Sequence, residues 1–225
     1  MKTVAVIPTY NAGRTISKIV QETKKYVDRV IVVDDCSSDD TAKIVQRLDV
    51  EYLLHSKNRG QGAATRTGMK IAIGLGANII VTLDSDGQHE PSEIPQILKP
   101  ILEDKADMVI GARFINKTRV PCYRKFGIDL INWLYNVHNG KKLTDTQSCF
   151  RAYTKQLIEK FIIEEDSFGF STEVLTKIKK MKARMVEVPV SCIYHNLEQD
   201  STMNPIKHGL EVAWKTIWWR LKLRS

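Results

Sequence analysis

The first 112 residues alternate short apolar segments with segments of helical spacing, and this alternation constrains the fold more than any other feature. The spacing predicts strands at 4–7, 30–33, 50–54, 79–83 and 108–111, and helices at 14–26, 42–48, 62–75 and 91–102. Strands that are apolar along their whole length and separated by helices form a parallel sheet covered on both faces. The sequence therefore predicts an α/β fold with a mostly parallel sheet flanked by helices.

The pattern is looser beyond residue 113. We expect a helix at 120–139, a loop and a strand at 144–153, helices at 157–163 and 171–181, and a strand at 184–193. Pro189 indicates that this last strand lies at an edge of the sheet, because proline cannot donate a ladder hydrogen bond. The sequence contains no internal repeat and no low-complexity linker. We therefore predict one domain over residues 1–204, followed by a C-terminal amphipathic helix at 205–225.

The C-terminal segment has an amphipathic pattern that opens at Pro205. Its apolar residues fall within one arc of a helical wheel: Ile206, Leu210, Ala213, Trp214, Ile217, Trp218 and Leu221. Cationic residues flank or oppose this arc, which is the composition of a helix lying in a membrane interface. A terminal helix packed on the protein's own core is the alternative. The position of Trp219, opposite Trp214 and Trp218, favours peripheral membrane contact.

The formal net charge of +8 lies almost entirely in the second half of the chain. Residues 1–100 carry 13 basic and 12 acidic residues, and residues 101–225 carry 21 and 14. This asymmetry indicates an anionic partner there, although solubility alone is another interpretation.

Neither a membrane span nor a signal peptide is expected. The longest uncharged stretch, Ile71–Leu83, is shorter than the roughly 18 apolar residues that a span needs. The apolar run at the N-terminus is too short for a signal peptide. The four cysteines are scattered without a C-x-x-C pair, which fits a reducing cytosol. We therefore expect a cytoplasmic protein, peripheral at the inner face of the membrane.

Two of the predicted strands end in acidic residues, one in Asp34-Asp35 and the other in Asp84-x-Asp86. The carboxyl ends of parallel strands meet at one edge of the sheet, where ligands bind in open α/β folds. Buried carboxylates need a partner, and with the oxygen ligand of Gln88 they suit Mg²⁺ or Mn²⁺. Mg²⁺ commonly completes its ligands with substrate phosphates, so these residues indicate a diphosphate substrate. A solvated turn is the alternative for Asp-x-Asp alone, and His89 either contacts substrate or is solvated.

The order and spacing of four motifs resemble the family 2 glycosyltransferases of the GT-A fold, whose sheet is Rossmann-like. The motifs are Val6–Asn11, Val32–Thr41, Asn58-Arg59-Gly60-x-Gly62 and Asp84-x-Asp86-x-Gln88. Later motifs resemble the dolichol-phosphate mannose synthase branch: Gly111–Phe114, Arg124-Lys125, Asp145–Arg151 and Ser201-x-x-Asn204-Pro205. By this resemblance, residues 1–112 form a nucleotide-binding half and residues 113–204 an acceptor-binding half.

The resemblance also implies roles for individual residues. The nucleotide base and ribose would be held by Pro8, Tyr10, Val33 and Asp35. Asp84, Ser85 and Asp86 would contact the ribose and the metal-bound diphosphate. Asp86 and Gln88 would be direct ligands of Mg²⁺ or Mn²⁺, with Asp84 close by. Arg113 would contact the diphosphate or an acceptor phosphate, and Glu173 would face the sugar or the acceptor.

The sequence departs from this branch at several positions. Cys149 stands where the branch has glycine, and Ile128 where serine is common. Ser201-Thr202 replaces a Ser-Lys pair, and His195 or Asn196 replaces an arginine. These positions concern the identity of donor and acceptor.

The function predicted is inverting transfer of a hexose from a nucleoside-diphosphate sugar, of GDP-mannose or UDP-glucose type, to a polyprenyl or dolichyl phosphate. A phosphate acceptor is already anionic at neutral pH, so it needs cations rather than a general base. Arg113 and Arg124 are expected to steer it. Further cations are Lys117, Arg119, Lys125, Lys141, Lys142 and Arg151.

The alternative is a glycosyltransferase that extends a glycan or a lipid-linked saccharide at a hydroxyl. Asp145 or Glu173 would then be the base, although Asp145 could equally hold its loop by hydrogen bonds. We do not expect nucleic acid as a partner, because two acid clusters at the ligand edge repel its phosphates.

Overall fold

One seven-stranded sheet forms the centre of the molecule. The structure is a computed structural model that describes residues 1–115, 122–137, 142–193 and 205–223, with the backbone alone for 122–126, 205–208 and 210. The strands are β1 (Thr3–Thr9), β2 (Arg29–Asp34), β3 (Glu51–Leu54), β4 (Ile79–Thr82), β5 (Met108–Ala112), β6 (Arg151–Thr154) and β7 (Met185–Pro189). They are ordered β3-β2-β1-β4-β6-β5-β7, and only β6 pairs antiparallel to its neighbours among these strands. The predicted α/β fold with a mostly parallel sheet is confirmed.

Eight α-helices and one short 3-10 helix, Pro91–Glu93, accompany the sheet in the described part of the chain. The α-helices are α1 (Ile16–Thr23), α2 (Thr41–Val45), α3 (Gln61–Gly74), α4 (Ile94–Leu102), α5 (Cys122–Asn136), α6 (Lys155–Ile158), α7 (Phe170–Lys180) and α8 (Pro205–Lys222). Alternate strand residues enter two separate cores. Val4 and Val6 pack with residues of α3 and α7, whereas Ala5 and Ile7 pack with residues of α1 and α4. The strands are apolar throughout because both faces are covered.

The strand order brings the acid clusters together. β1 pairs in parallel with β2 on one side and β4 on the other. The loops after these three strands therefore leave the same edge, as the sequence predicts for Asp34-Asp35 and Asp84-x-Asp86.

Three local features differ from the sequence-based expectation. The strand expected near 144–153 is β6, which is inserted antiparallel between β4 and β5. The helix predicted at 157–163 is wrong beyond Ile158, where α6 ends. The following segment is a loop, and Arg66 Nη1 donates to the carbonyl oxygen of Ile163 within it at 2.8 Å. The helix predicted at 42–48 is the shorter α2.

The helix α8 has two distinct faces. Val212, Thr216 and Trp219 are buried, and Trp219 is only 1% exposed. The opposite face presents exposed apolar side chains, namely Trp214, Ile217, Trp218 and Leu221. The predicted amphipathic arc is therefore present, and the tryptophan that lies outside it packs against the protein. None of the helices in the described ranges combines the length and apolarity required to cross a bilayer.

Candidate active site

The turn between β3 and α3, residues 58–62, is held at the carboxyl edge of the sheet by Asp35. Asp35 is buried, and its carboxylate accepts hydrogen bonds from the backbone N–H groups of Arg59 at 3.0 Å and Gly60 at 2.6 Å. His55 Nδ1 lies 2.6 Å from the same carboxylate. These donors replace the water that the charge loses on burial. Asp35 thus fixes the position of residues 58–62, which we call the glycine turn.

The two glycines let a second segment lie directly on this turn. Gly60 has φ +97°, and a Cβ there would lie 2.4 Å from the carbonyl oxygen of Asp166. A Cβ on Gly62 would lie 2.2 Å from the carbonyl oxygen of Glu165. Backbone can approach this closely only where no side chain intervenes. We call residues 164–167, of which Glu165 and Asp166 make this approach, the acidic loop.

The side chain of Gln61 connects the glycine turn to the second acid cluster. Gln61 is the first residue of α3, and its Nε2 donates to Asp84 Oδ1 at 2.6 Å. The same amide nitrogen lies 3.4 Å from Cys149 Sγ. Burial raises the pKa of the Cys149 thiol, which therefore stays neutral. The consecutive residues Gly60 and Gln61 thus contact Asp35 and Asp84, respectively.

The electrostatics of Asp84 and Asp86 suit a divalent cation. Burial, and then the negative charge of Asp86, raise the pKa of Asp84 to about 7, although Arg113 opposes the shift. Asp86 is exposed at the mouth of the site, and its Oδ1 accepts a hydrogen bond from the backbone N–H of Gln88 at 2.9 Å. A cation between these oxygens would offset the repulsion that disfavours two ionised carboxylates. The donor set therefore fits Mg²⁺ or Mn²⁺.

The number of protein ligands fits an ion that also binds substrate. Within the described residues, no cluster of three or more His, Cys, Asp or Glu side chains is arranged to hold a metal. A cation at Asp84 and Asp86 would take its remaining ligands from the Gln88 amide, a diphosphate and water, as Mg²⁺ commonly does.

Arg113 and Asp145 form a buried ion pair beside this cluster. Arg113 follows β5 directly, and its Nε and Nη2 donate to Asp145 at 2.7 Å and 2.9 Å. Asp145 also accepts from the backbone N–H groups of Arg113 and Ser148, each at 3.1 Å. Burial alone would raise the pKa of Asp145, but the Arg113 guanidinium holds it below its ordinary value. Asp145 therefore anchors its loop through these hydrogen bonds.

Comparison with known proteins assigns this chain to a family. The model of glycosyl transferase family 2 matches residues 4–165, which span all of the elements that form the carboxyl edge from β1 to β6. The chain belongs to glycosyl transferase family 2. The resemblance of the sequence motifs to this family is thereby confirmed.

Two relatives of this family 2 chain carry names that describe their reactions. It is 33% identical over 212 residues to the UDP-N-acetylglucosamine–dolichyl-phosphate N-acetylglucosaminyltransferase of Methanococcus voltae, and the match covers 84% of each chain. It is 27% identical over 249 residues to the undecaprenyl-phosphate mannosyltransferase of Micrococcus luteus, covering 99% of this chain and 100% of the relative.

A solved structure shares the fold of this family 2 chain. It is glucosyl-3-phosphoglycerate synthase from Mycobacterium tuberculosis in complex with Mn²⁺, UDP-glucose and phosphoglyceric acid, with a TM-score of 0.77. The match covers 99% of this chain and 79% of that one at 16% identity, which establishes the common fold.

The structure places the residues expected around a nucleotide in different environments. Tyr10 is 47% exposed just beyond β1, so its ring is open to a ligand. The side chain of Val33 is fully buried where α3 passes at Gly68. Pro8 is buried within β1, and Ser85 is buried with its carbonyl oxygen bonded to Thr15 Oγ1 at 2.6 Å. The carboxylate expected to read the base, Asp35, is instead engaged by the glycine turn and His55.

Two further expectations need correction. Glu173 is fully buried, and its oxygens accept from the backbone N–H groups of Glu164 at 2.7 Å and Glu165 at 2.8 Å. It also pairs with Lys177 at 2.7 Å, so it neither faces a sugar nor serves as a free base. Arg151 is fully buried, with Nη2 bonded to the carbonyl oxygen of Thr146 at 2.9 Å. It supports the loop before β6.

Several predicted positions lie outside the described residues. They are Lys117, Arg119, Lys141, His195, Asn196, Ser201, Thr202 and Asn204, together with the side chains of Arg124 and Lys125. Lys142 is described and exposed.

Sequence reasoning missed the residues that organise the site. Gln61 and His55 contact the two acid clusters through pairings separated by more than ten residues, which no local motif reveals. His89 is buried, not solvated, with Nε2 3.9 Å from Asp84 Oδ2 and its ring on Phe150. Burial lowers the pKa of His89 to about 3, so it is a neutral neighbour of Asp84. In the sequence, the feature that links His89 to this site is its position directly after Gln88.

Proposed function

We propose that this family 2 glycosyltransferase transfers a hexose from a nucleoside-diphosphate sugar to a polyprenyl phosphate at the cytoplasmic face of a membrane. The observation that carries the proposal is the convergence of Asp84 and Asp86 beside the glycine turn at the carboxyl edge of the sheet. The names of the two relatives, which describe transfer to dolichyl phosphate and undecaprenyl phosphate, support a polyprenyl phosphate acceptor.

The carboxylates would hold a cation that stabilises the leaving group. Asp86 and Gln88, with Asp84 close by, would hold Mg²⁺ or Mn²⁺, which when bound neutralises charge that grows on a departing diphosphate. Tyr10 offers an exposed ring at the mouth of the site for the nucleotide. Gln61 holds Asp84 in place from the glycine turn.

A phosphate acceptor fits the groups around the site better than a hydroxyl does. A hydroxyl needs a general base, yet Asp145 is paired with Arg113 and Glu173 is buried with both oxygens engaged. A phosphate oxygen can attack the anomeric carbon directly, while the bond from that carbon to the diphosphate oxygen breaks on the opposite face. This attack inverts the anomeric centre. Arg113, and by family resemblance Arg124, would position the acceptor phosphate.

The exposed face of α8 supports peripheral membrane contact. Trp214 is 65% and Leu221 61% exposed, and cationic residues adjoin them on the same helix. Trp133 on α5, a helix that α8 contacts, is 63% exposed as well. Exposed tryptophan beside lysine and arginine is typical of helices that lie at a lipid interface.

A thermal-shift panel of UDP-sugars and GDP-sugars, with and without Mn²⁺, tests donor binding. A donor that binds only the folded chain raises the unfolding temperature with its concentration, and the effect should require Mn²⁺. Asp86→Asn should remove the Mn²⁺-dependent shift and lower transfer to a short polyprenyl phosphate roughly a hundredfold or more. Asp49→Asn is the matched control, because Asp49 is a fully exposed carboxylate that precedes β3 at the opposite edge.

The proposal is wrong if no sugar nucleotide stabilises the wild-type chain, or if Asp86→Asn retains full turnover. An acceptor comparison tests the second half of the reaction. Replacing polyprenyl phosphate by the corresponding polyprenol should abolish transfer, whereas equal rates with the alcohol would favour a hydroxyl acceptor.

A further inference from the structure

The glycine turn is connected to α8 through one side chain. Glu165, in the acidic loop, is 9% exposed, and its Oε2 accepts from Lys215 Nζ at 2.8 Å and from Trp219 Nε1 at 3.3 Å. Both donors belong to α8. A carboxylate with little exposure that is bonded to two groups of one helix holds that helix at a defined position.

The backbone of the same loop bears on the glycine turn. The carbonyl oxygen of Glu165 occupies the space beside Gly62, and the carbonyl oxygen of Asp166 accepts from the N–H of Ala63 at 3.1 Å. Arg66, one turn further along α3, donates to Asp166 Oδ1 at 2.5 Å. The acidic loop therefore supports the first turn of α3, where Gln61 reaches Asp84.

Further contacts keep the acidic loop from moving independently of these partners. Ser167 Oγ donates to Glu165 Oε1 at 2.8 Å, and the N–H of Glu165 donates to Glu173 Oε2 at 2.8 Å. Gly169 lets α8 come close, because a Cβ there would lie 2.8 Å from Lys215 Cβ. A displacement of α8 at Lys215 is thus transmitted to the backbone that lies on Gly62.

We propose that Glu165 is a positioning residue that couples α8 to the glycine turn, which holds Asp84 through Gln61, so that the seating of α8 sets the affinity for the sugar nucleotide. This inference rests on the proposed function. It assigns the role to Glu165 through its contacts with Lys215 and with Gly62, and it places no reacting group at this residue.

The test compares two neighbouring glutamates that both pair with α8. Glu165→Gln removes the charge that holds Lys215 and keeps the size of the side chain. Glu164→Gln is the matched control. Glu164 pairs with Lys222 of α8 at 2.9 Å and with Lys177 of α7 at 2.7 Å, is half-exposed, and its side chain has no contact with the glycine turn among the described interactions. The probes are UDP-sugars and GDP-sugars with Mn²⁺, measured by calorimetry.

Glu165→Gln should weaken donor binding roughly five-fold and raise the donor KM by the same factor, with kcat within about twofold of wild type. Backbone amides of residues 59–64 should exchange hydrogen faster in this variant. Glu164→Gln should change neither quantity. Lys215→Met should reproduce the effect of Glu165→Gln. Lys215→Arg, which keeps the ion pair, should retain the donor affinity of wild type.

Two results would overturn the inference. One is wild-type donor affinity and wild-type exchange at 59–64 in Glu165→Gln. The other is an equal loss in Glu164→Gln, which would mean that any loosening of α8 suffices. If the wild-type chain binds no sugar nucleotide, the proposed function fails instead, and exchange at 59–64 alone then decides whether Glu165 couples the two elements.

Discussion

At the scale of single residues, the same chemical group does different work according to its partners. Asp145 and Asp84 are both carboxylates of the candidate site, yet Asp145 lies against a guanidinium and Asp84 lies beside another carboxylate. The pKa of Asp145 is therefore lowered and that of Asp84 raised. Two separate motifs located these residues, but the sequence could not decide whether Asp145 is a base or a loop anchor, because Arg113 is 32 residues away from Asp145 in the chain.

The Arg113–Asp145 pair makes a testable contribution to stability. Asp145→Asn should lower the free energy of unfolding by about 3 kcal/mol or more at pH 7, because the variant leaves a largely buried guanidinium without its counter-charge. The double variant Arg113→Gln/Asp145→Asn should lose less than the sum of the single losses. Urea unfolding measures all three. Additive losses would show that the two groups do not interact.

The pH dependence of the same variants follows from the sign of the shift. Because the folded-state pKa of Asp145 is lowered, its stabilisation is complete above the ordinary carboxyl pKa of about 3.9 and is lost as pH falls towards the folded value. Wild type should therefore lose more stability than Asp145→Asn between about pH 5 and pH 2. Parallel curves for the two proteins over this range would contradict the role assigned to Asp145.

At the scale of secondary-structure elements, periodicity predicts more than long-range pairing does. The alternation of apolar segments with segments of helical spacing predicts the elements from β1 to β5. It can do so because the sequence of each element shows which of its faces is buried. The antiparallel insertion of β6 depends on partners at β4 and β5, which local sequence does not encode. The segment beyond α6 likewise contacts a distant helix, because Arg66 donates to the carbonyl oxygen of Ile163.

Two glycines of α3, Gly62 and Gly74, provide a matched test of whether the glycine turn requires glycine at position 62. Gly62→Ala should destabilise the fold by about 2–3 kcal/mol and weaken donor binding, because its Cβ would lie 2.2 Å from the carbonyl oxygen of Glu165. Gly74→Ala, in the same helix, meets nothing within 4 Å and should stabilise by about 0.5–1 kcal/mol. Chemical denaturation and donor titration of both variants check this. Equal behaviour would mean that the close approach at Gly62 is not required.

At the scale of the whole molecule, α8 both completes the core and presents a surface. Its inner face packs on the core, whereas membrane contact by its outer face stays a prediction. Trp219 stacks edge-on against Trp218 and is buried, whereas Trp218 is 40% exposed. Arg220 of α8 bonds the carbonyl oxygens of Leu134 and Val137 at the end of α5, so the two helices form one layer. The exposed tryptophans are thus held on a rigid support, which favours a shallow interfacial contact.

The exposed face of α8 should bind anionic vesicles through its tryptophans. Each exposed indole buries enough apolar area to contribute about 2 kcal/mol at ~25 cal/mol per Å². Trp214→Ser/Trp218→Ser should therefore abolish co-sedimentation with vesicles of phosphatidylglycerol and phosphatidylcholine. It should also lower the unfolding temperature slightly, because Trp218 packs edge-on against the buried Trp219. Leu54→Ser/Leu102→Ser is the matched control, because these side chains are 50% and 56% exposed on other elements. Retained sedimentation in the tryptophan variant, or its loss in the control, would assign vesicle binding to a different surface. Activity on a water-soluble short-chain polyprenyl phosphate should survive in the tryptophan variant, since α8 still seats through Lys215 and Trp219 when only its outer face has changed.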